Sequence, residues 1–226
     1  MSIISKLKSF NSFSRNRRKV AITLGATRAP IDSVRAIQNA SSGKTGWAIA
    51  EHLFLMGHDV YCIVGKTSSH PTIELPNIIR AGSPEEMLFQ SLSLAKSEIK
   101  PDVWIHSAAV LDYSMIPEKG KRPSGQEKWE IKLQPTLKHI PELADLVGDC
   151  IRIGFKLETG VSEEELIQKS LNQISKYGVD YVIANILEQI GDKNSPRARL
   201  VSKDGAVKVL RNEVDICLEI EKIISE

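Results

Sequence analysis

Cysteine is scarce in this sequence, with three residues in 226. Cys62, Cys150 and Cys217 lie far apart in apolar patterns, with no CxxC spacing and no histidine nearby. That excludes a disulfide framework and reads as reduced core thiols in a cytoplasmic setting. His52, His58, His70, His106 and His139 show no metal-ligand spacing, so no resident metal site is expected. Long hydrophobic runs are missing too: charges interrupt every apolar stretch before the roughly 18 to 20 residues that a membrane helix needs, and no membrane partner is expected.

Charge of one sign is also in short supply. The net charge is +2, and Lys6, Lys8, Arg15, Arg17 and Arg18, with no acid among residues 1–18, leave the remainder at −3. The other Lys and Arg are interspersed with Asp and Glu rather than gathered on a basic face, which argues against a nucleic-acid partner. Three nucleotide signatures are absent: no GxxxxGK[ST], no GxGxxG at dinucleotide spacing, and no lysine four residues after Tyr61, Tyr113, Tyr177 or Tyr181.

What is present is an alternation of strands and helices. About 42% of residues are apolar, enough for a sizeable core. Residues 1–18 read as a basic, flexible arm and 19–226 as a single domain. Buried-strand runs are predicted at 20–24, 59–64, 77–81, 102–107, 151–156 and 181–185, with a short strand at 129–133. Helices are predicted over 45–56, from Ser83-Pro84-Glu85-Glu86, near 138–146, and over 162–177, where Ser162 and Glu165 form a capping box. A hairpin over 199–210, closed on Asp204-Gly205, precedes a helix with Val214, Cys217, Ile220 and Ile224 on one side. The expected fold is α/β: a three-layer, Rossmann-like, mainly parallel sheet with helices on both faces and a C-terminal antiparallel hairpin.

In such a sheet ligands bind beyond the carboxyl ends of the strands. Three loops are picked out: 25–43, the polar stretch 108–128, and 155–160. Ser41-Ser42-Gly43-Lys44-Thr45-Gly46 leads straight into a helix, whose free N–H groups and positive end suit a phosphate or carboxylate. Taken alone, the same residues also suit an ordinary helix cap. Asn39 by itself fits a turn, the cluster Lys119, Lys121 and Arg122 a solvated charge run, Phe155 core packing and Lys169 a helix surface.

In their order, however, the motifs resemble the phosphopantothenate–cysteine ligases. The run Gly25-Ala26-Thr27-Arg28-Ala29-Pro30-Ile31-Asp32, then Val34-Arg35, then Asn39-Ala40-Ser41-Ser42-Gly43-Lys44-Thr45-Gly46 is similar to their opening signature. Ser107-Ala108-Ala109-Val110-Leu111-Asp112-Tyr113, Pro117-Glu118-Lys119-Gly120-Lys121-Arg122, Gly154-Phe155-Lys156-Leu157-Glu158-Thr159 and Val182-Ile183-Ala184-Asn185 follow in sequence.

The resemblance implies a two-step ligase of coenzyme A synthesis that joins 4'-phosphopantothenate to L-cysteine through an acyl-nucleotide, as a homodimer. CTP is the expected nucleoside triphosphate and ATP the alternative, with Mg2+ carried on the nucleotide. It implies catalytic roles for Asn39, beside the acyl-nucleotide, and Lys119, on a flap over the triphosphate. Arg35, Asn39, Lys121 and Arg122 would hold substrate. Gly25, Thr27, Ser41, Ser42, Gly43, Lys44, Ser107, Ala108, Ala109, Asp112, Lys119, Gln134, Pro135, Thr136, Leu137, Phe155 and Lys169 would hold nucleotide. Departures fall at Lys119-Gly120-Lys121-Arg122, at Gln134-Pro135-Thr136 and at Gln173, where fused bacterial relatives carry other residues. No flavin domain is expected ahead of residue 19, so another protein would supply the decarboxylation step. The competing readings are an NAD(P)-dependent Rossmann-type reductase and a non-catalytic nucleotide-binding protein.

Overall fold

The computed structural model describes residues 16–125 and 128–226. Its strands are β1 (Lys19–Leu24), β2 (Arg28–Pro30), β3 (Ala36–Gln38), β4 (Asp59–Val64), β5 (Asn77–Arg80) and β6 (Val103–His106), then β7 (Tyr113–Ser114), β8 (Gln134–Pro135), β9 (Ile151–Glu158), β10 (Tyr181–Ile186), β11 (Ala198–Ser202) and β12 (Val207–Leu210). The helices are α1 (Lys44–Leu55), α2 (Pro84–Lys96), α3 (His139–Leu143), α4 (Glu163–Tyr177) and α5 (Glu213–Ser225).

The last five residues of β1 are all buried, as a strand covered on both faces must be. It pairs in parallel with β4 on one side and β6 on the other. The main sheet runs β12-β11-β10-β9-β6-β1-β4-β5, with β11 and β12 added antiparallel. The period of two divides the core. Val20, Ile22 and Leu24 face α1 and α5, while Ala21, Ile63 and Trp104 face α2 and α3, and α4 covers β10 on that same side. This is the expected three-layer α/β fold.

Local chemistry accounts for the helix ends. Capping boxes at Ser83 with Glu86 and at Ser162 with Glu165 start α2 and α4. Gly57, at φ +95, lets the chain leave α1.

Three local expectations are revised. Residues 129–133 form no strand: β9 already fills the place beside β6, and Trp129 instead meets the guanidinium groups of Arg35 and Arg122. Pairing falls to the short β8, which meets β7. Val214 is 63% exposed, because α5 starts at Glu213 and buries Ile216, Cys217, Ile220 and Ile224. Met56 lies past the end of α1 and is half-buried.

Of the arm expected over residues 1–18, residues 1–15 lie outside the described residues. Arg18 donates to Ile224 O at 3.0 Å and through its backbone to His58 Nδ1 at 3.1 Å, and Arg17 pairs with Asp59. No helix among the described residues is long and apolar enough to cross a membrane.

The seating of α1 rests on Gly46. A Cβ there would lie 2.5 Å from Leu24 Cβ. Alanine is intrinsically favoured over glycine in a helix by about 1 kcal/mol, so on an open face Gly46→Ala would stabilise. Here overpacking reverses the sign, and the substitution should destabilise by about 1–2 kcal/mol net in urea unfolding. An unchanged or raised midpoint would contradict this packing.

Candidate active site

The parallel strands run β5-β4-β1-β6-β9-β10, so chain order reverses between β1 and β6, and a crevice opens where their connections part. The two connections are stitched together. Ala109 N donates to Gly25 O at 2.8 Å, Thr27 N to Ala109 O at 3.2 Å, and Leu111 N to Thr27 Oγ1 at 2.8 Å. Gly25, at φ +80, lies so close to Lys66 O and Thr67 that a Cβ would meet them at 2.8 and 2.7 Å. Gly25 and the fully buried Thr27 therefore shape the site without lining it.

The crevice is a cleft of about 760 Å³. At one end stands the N-terminus of α1. Its N-cap is Gly43 at φ 78, which has no side chain to cap the first turn, and the helix's own first turn carries no acid. The helix end presents backbone N–H groups to the cleft, while Glu213 flanks the first turn, accepting from Thr45 Oγ1 at 2.7 Å and pairing with Lys44 at 3.7 Å. Ser41, Ser42, Gly43 and Lys44 line this end, and Ser42 Oγ accepts from Lys44 N at 3.3 Å. Arg197 stands beside it, donating to Thr45 Oγ1 at 2.9 Å. Asn185, with its amide oriented to satisfy its neighbours, accepts from Arg197 at 3.3 Å.

Ser107, Ala108, Ala109, Asp112 and Phe155 line the same cleft, as does Asn39. Asn39 Nδ2 donates to Ala109 O at 3.1 Å and Val110 O at 3.2 Å, which fixes the side chain across the crevice from α1. Asp112 also pairs with Lys138 at 2.5 Å. An adjoining chamber of about 250 Å³ contains Leu137, His106, His139 and Tyr177, and shares Ala108, Asp112 and Phe155 with the cleft. Burial, aided by the charge of Arg152, pushes His106 down to about 3, so it is neutral near pH 7.

The other expected residues stand outside the cleft. Thr136 ties β8 to the 111–112 turn, donating its hydroxyl to Leu111 O at 2.5 Å and its N–H to Asp112 O at 2.9 Å; Gln134 and Pro135 form β8 itself. Lys169 pairs with Glu158 at 2.6 Å, and Lys156, which does line the cleft, pairs with it at 2.9 Å. The Lys169 bond, then that of Lys156, holds Glu158 below the usual carboxylate range.

The flap is anchored to the β2–β3 hairpin. Glu118 N donates to Ile31 O at 2.8 Å, Ser33 N to Gly120 O at 3.1 Å, and Arg35 Nη2 to Arg122 O at 2.9 Å. Asp32 is the hub: its carboxylate accepts from Arg35 Nε at 2.9 Å and from the backbone N–H of Val34, Arg35 and Arg122. Arg35 and Arg122 both lie over the Trp129 ring, at 4.3 and 5.0 Å from its centroid. Lys119 and Lys121 are exposed on this flap, outside the cleft lining.

Lys156, Gln173, Asn185, Arg197, His106 and His139 line the cleft or chamber without having been picked out as site residues. Lys156 and Asn185 stand in quoted motifs, and Gln173 is one of the departures noted from fused bacterial relatives. Arg197 sits in an irregular loop with no period to mark it, and the two histidines read as ordinary strand and helix residues. Among the described residues no group of three His, Cys, Asp or Glu is placed to hold a metal ion.

Comparison with known proteins adds an independent line. Residues 15–216 match the family described as the DNA/pantothenate metabolism flavoprotein C-terminal domain. The chain is 39% identical over 194 residues to the coenzyme A biosynthesis bifunctional protein CoaBC of Thermococcus kodakarensis, covering 86% of this chain and 47% of that protein. It is 34% identical over 180 residues to the CoaBC of Methanocaldococcus jannaschii, covering 79% and 43%. It thus spans about half the length of these relatives. The crystal structure of the DNA/pantothenate metabolism flavoprotein from Streptococcus pneumoniae superposes with a TM-score of 0.82 at 27% identity, over 92% of this chain and 99% of that one.

The hub yields a pH test. The Arg35 bond, followed by those of the backbone N–H groups of Val34, Arg35 and Arg122, holds Asp32 far below its ordinary value. A depressed carboxylate stabilises while ionised, so its contribution is full at neutral pH and is lost as pH falls from about 4 through the folded value. Trp129 fluorescence should therefore change on acidification below about pH 4. In Asp32→Asn it should already be altered at pH 7. A signal in that variant identical to wild type would remove Asp32 as the hub.

Proposed function

This chain belongs to the DNA/pantothenate metabolism flavoprotein C-terminal domain family, and on that footing we propose that it joins 4'-phosphopantothenate to L-cysteine with a nucleoside triphosphate in coenzyme A synthesis. The observation that carries the reading is the glycine-capped α1 N-terminus sharing one cleft with Asn39. In the first step the substrate carboxylate attacks the α-phosphorus and pyrophosphate leaves, giving an acyl-nucleotide. In the second, the cysteine amine attacks the acyl carbon, the nucleoside monophosphate leaves, and the amine gives up a proton as the amide forms.

Two anions must meet in the first step, and the residues suit that task. The α1 N-terminus with Ser41, Ser42 and Lys44 offers N–H groups and positive potential to phosphates, and Ala108 and Ala109 keep the opposite wall low. Lys119, Lys121 and Arg122 ride on a flap whose anchorage at Asp32 leaves the lysines free to close over the leaving pyrophosphate. Magnesium enters with the triphosphate.

Asn39 stays neutral beside these anions. Its two N–H groups rest on Ala109 O and Val110 O, so an acyl carbonyl gains one only by displacing a backbone partner, while Oδ1 can accept from the incoming amine. A homodimer is part of the proposal, supported by the exposed apolar residues Val34 and Ile116 on the hairpin and flap. So is a cytoplasmic setting, where the buried thiols of Cys62 and Cys217, pushed up to about 12, would stay protonated.

Pyrophosphate release that requires both phosphopantothenate and a nucleoside triphosphate tests the whole reading. Release without phosphopantothenate, or hydride transfer to NAD(P), would sink it. Lys119→Gln should lower that release by about 10- to 100-fold. If Lys121→Gln does so instead, the flap's register is misassigned. Asn39→Asp should leave folding intact and cut product formation about 100-fold or more, chiefly in the amide-forming half. Wild-type rates would remove Asn39 from its role. With both nucleotides at equal concentration CTP should outpace ATP, and the reverse order would change the nucleotide while leaving the ligase standing.

A further inference from the structure

Three cations line the main cleft, Lys44, Lys156 and Arg197, and two of them are already engaged. Lys44 lies 3.7 Å from Glu213, and Lys156 pairs with Glu158 at 2.9 Å. Arg197 is the exception: among the described residues it forms no ion pair. The acid of the lining, Asp112, is taken by Lys138. The Arg197 charge therefore stands open to whatever anion enters the cleft.

Its neighbours are neutral and hold it from two sides. Nη2 donates to Thr45 Oγ1 at 2.9 Å, and Asn185 Oδ1 accepts from Nη1 at 3.3 Å. The backbone is fixed as well, since Pro196 restricts the chain before Arg197 and the buried Ala198 begins β11 after it. A guanidinium carries its N–H groups in a rigid fork, so two bonds orient the fork and leave its other donors uncommitted. The Thr45 bond is itself directed from outside the cleft. A threonine in a helix can turn its hydroxyl to a carbonyl of the preceding turn. Here the hydroxyl donates to Glu213 Oε1 at 2.7 Å, which leaves its lone pairs for Arg197. Glu213 is the first residue of α5, whose start is fixed by Asn212 Oδ1 accepting from Asp215 N at 3.0 Å.

We propose that Arg197 binds a phosphate group of a substrate, and that Thr45 and Glu213 are positioning residues that hold its guanidinium ready. An oriented, half-buried cation without an acid partner, beside the N–H groups of a helix start, is complementary to a phosphate in charge and in geometry. The inference rests on the ligase reading above, which supplies two phosphate-bearing substrates, the nucleoside triphosphate and 4'-phosphopantothenate.

The test is equilibrium binding to the full chain by calorimetry, with the magnesium complexes of CTP and ATP, with 4'-phosphopantothenate, and with cytidine, adenosine and pantothenate as controls that lack the phosphates. Arg197→Gln should weaken one class of phosphate ligand by about 10- to 100-fold, as the loss of a charge-assisted hydrogen bond does, and leave its control unchanged. Loss confined to the nucleotides assigns Arg197 to the triphosphate, and loss confined to phosphopantothenate assigns it to that phosphate. Arg197→Lys should recover only part of the affinity, because an ammonium lacks the fork. Thr45→Val and Glu213→Leu should weaken the same ligand several-fold. Thr45→Ser and Glu213→Gln, which keep the hydroxyl and its acceptor, should restore it, with circular dichroism confirming that all the variants fold. Unchanged affinity for both classes in Arg197→Gln, an equal loss with the controls, or no binding of either class by the wild-type chain would overturn the proposal. Pyrophosphate assays separate the two readings. Weakened binding in Arg197→Gln without any release by the wild-type chain would sink the ligase and leave this inference standing, whereas release by Arg197→Gln with wild-type KM for both substrates would do the reverse.

Discussion

The seating of α1 on the end of β1 is the constraint from which the rest of the site follows. Because Gly46 has no side chain, the first turn of the helix lies against Leu24, and its N-terminus is delivered to the gap between β1 and β6. Gly43, in a left-handed conformation, turns the chain into the helix without supplying a capping side chain. A helix start whose N-cap is a glycine leaves backbone N–H groups open to a ligand and is useful for holding an anion. Arg197, braced by Thr45, and Asn39, braced by Ala109 and Val110, are both positioned with reference to that first turn or to the loop facing it.

A second cluster is built on a different principle. The β2–β3 hairpin and the flap contribute little to the apolar core, and they are joined through one carboxylate that accepts from two backbone turns and an arginine. Trp129 closes the cluster by stacking under Arg35 and Arg122. Ionic and hydrogen-bonded contacts of this sort hold a loop while leaving its outer lysines exposed. Arg35 and Arg122 therefore act here as braces, whereas Lys119 and Lys121 remain available to a ligand arriving from solvent.

Much of this architecture was legible in the sequence, for reasons that individual residues make plain. The runs at 20–24, 59–64 and 181–185 are continuous and apolar because their strands are buried on both faces, and Ser83 with Glu86 and Ser162 with Glu165 announce two helix starts chemically. Residues 129–133 misled because an alternating pattern needs a free strand partner, and β9 had already taken it. Val214 misled because a three-residue step from Cys217 stays on a helix face only if the helix winds around the same core there. In the site, Asn39, Ser41 to Lys44, Ser107 to Ala109 and Phe155 were found through contiguous motifs. Arg197, His106 and His139 were not, because only long-range packing brings the loop of Arg197 to the cleft, and the end of β6 and the short α3 to the chamber beside it.

The central claim is that the substrate carboxylate, rather than water or a hydride donor, meets the α-phosphorus in this cleft. Phosphopantothenate labelled with oxygen-18 in its carboxylate tests it directly, since the bridging oxygen of an acyl-nucleotide stays with phosphorus when the amine attacks carbon. Turnover with cysteine should yield nucleoside monophosphate carrying one labelled oxygen by mass spectrometry. Label appearing in inorganic phosphate, or unlabelled nucleoside monophosphate alongside ligated product, would contradict the account.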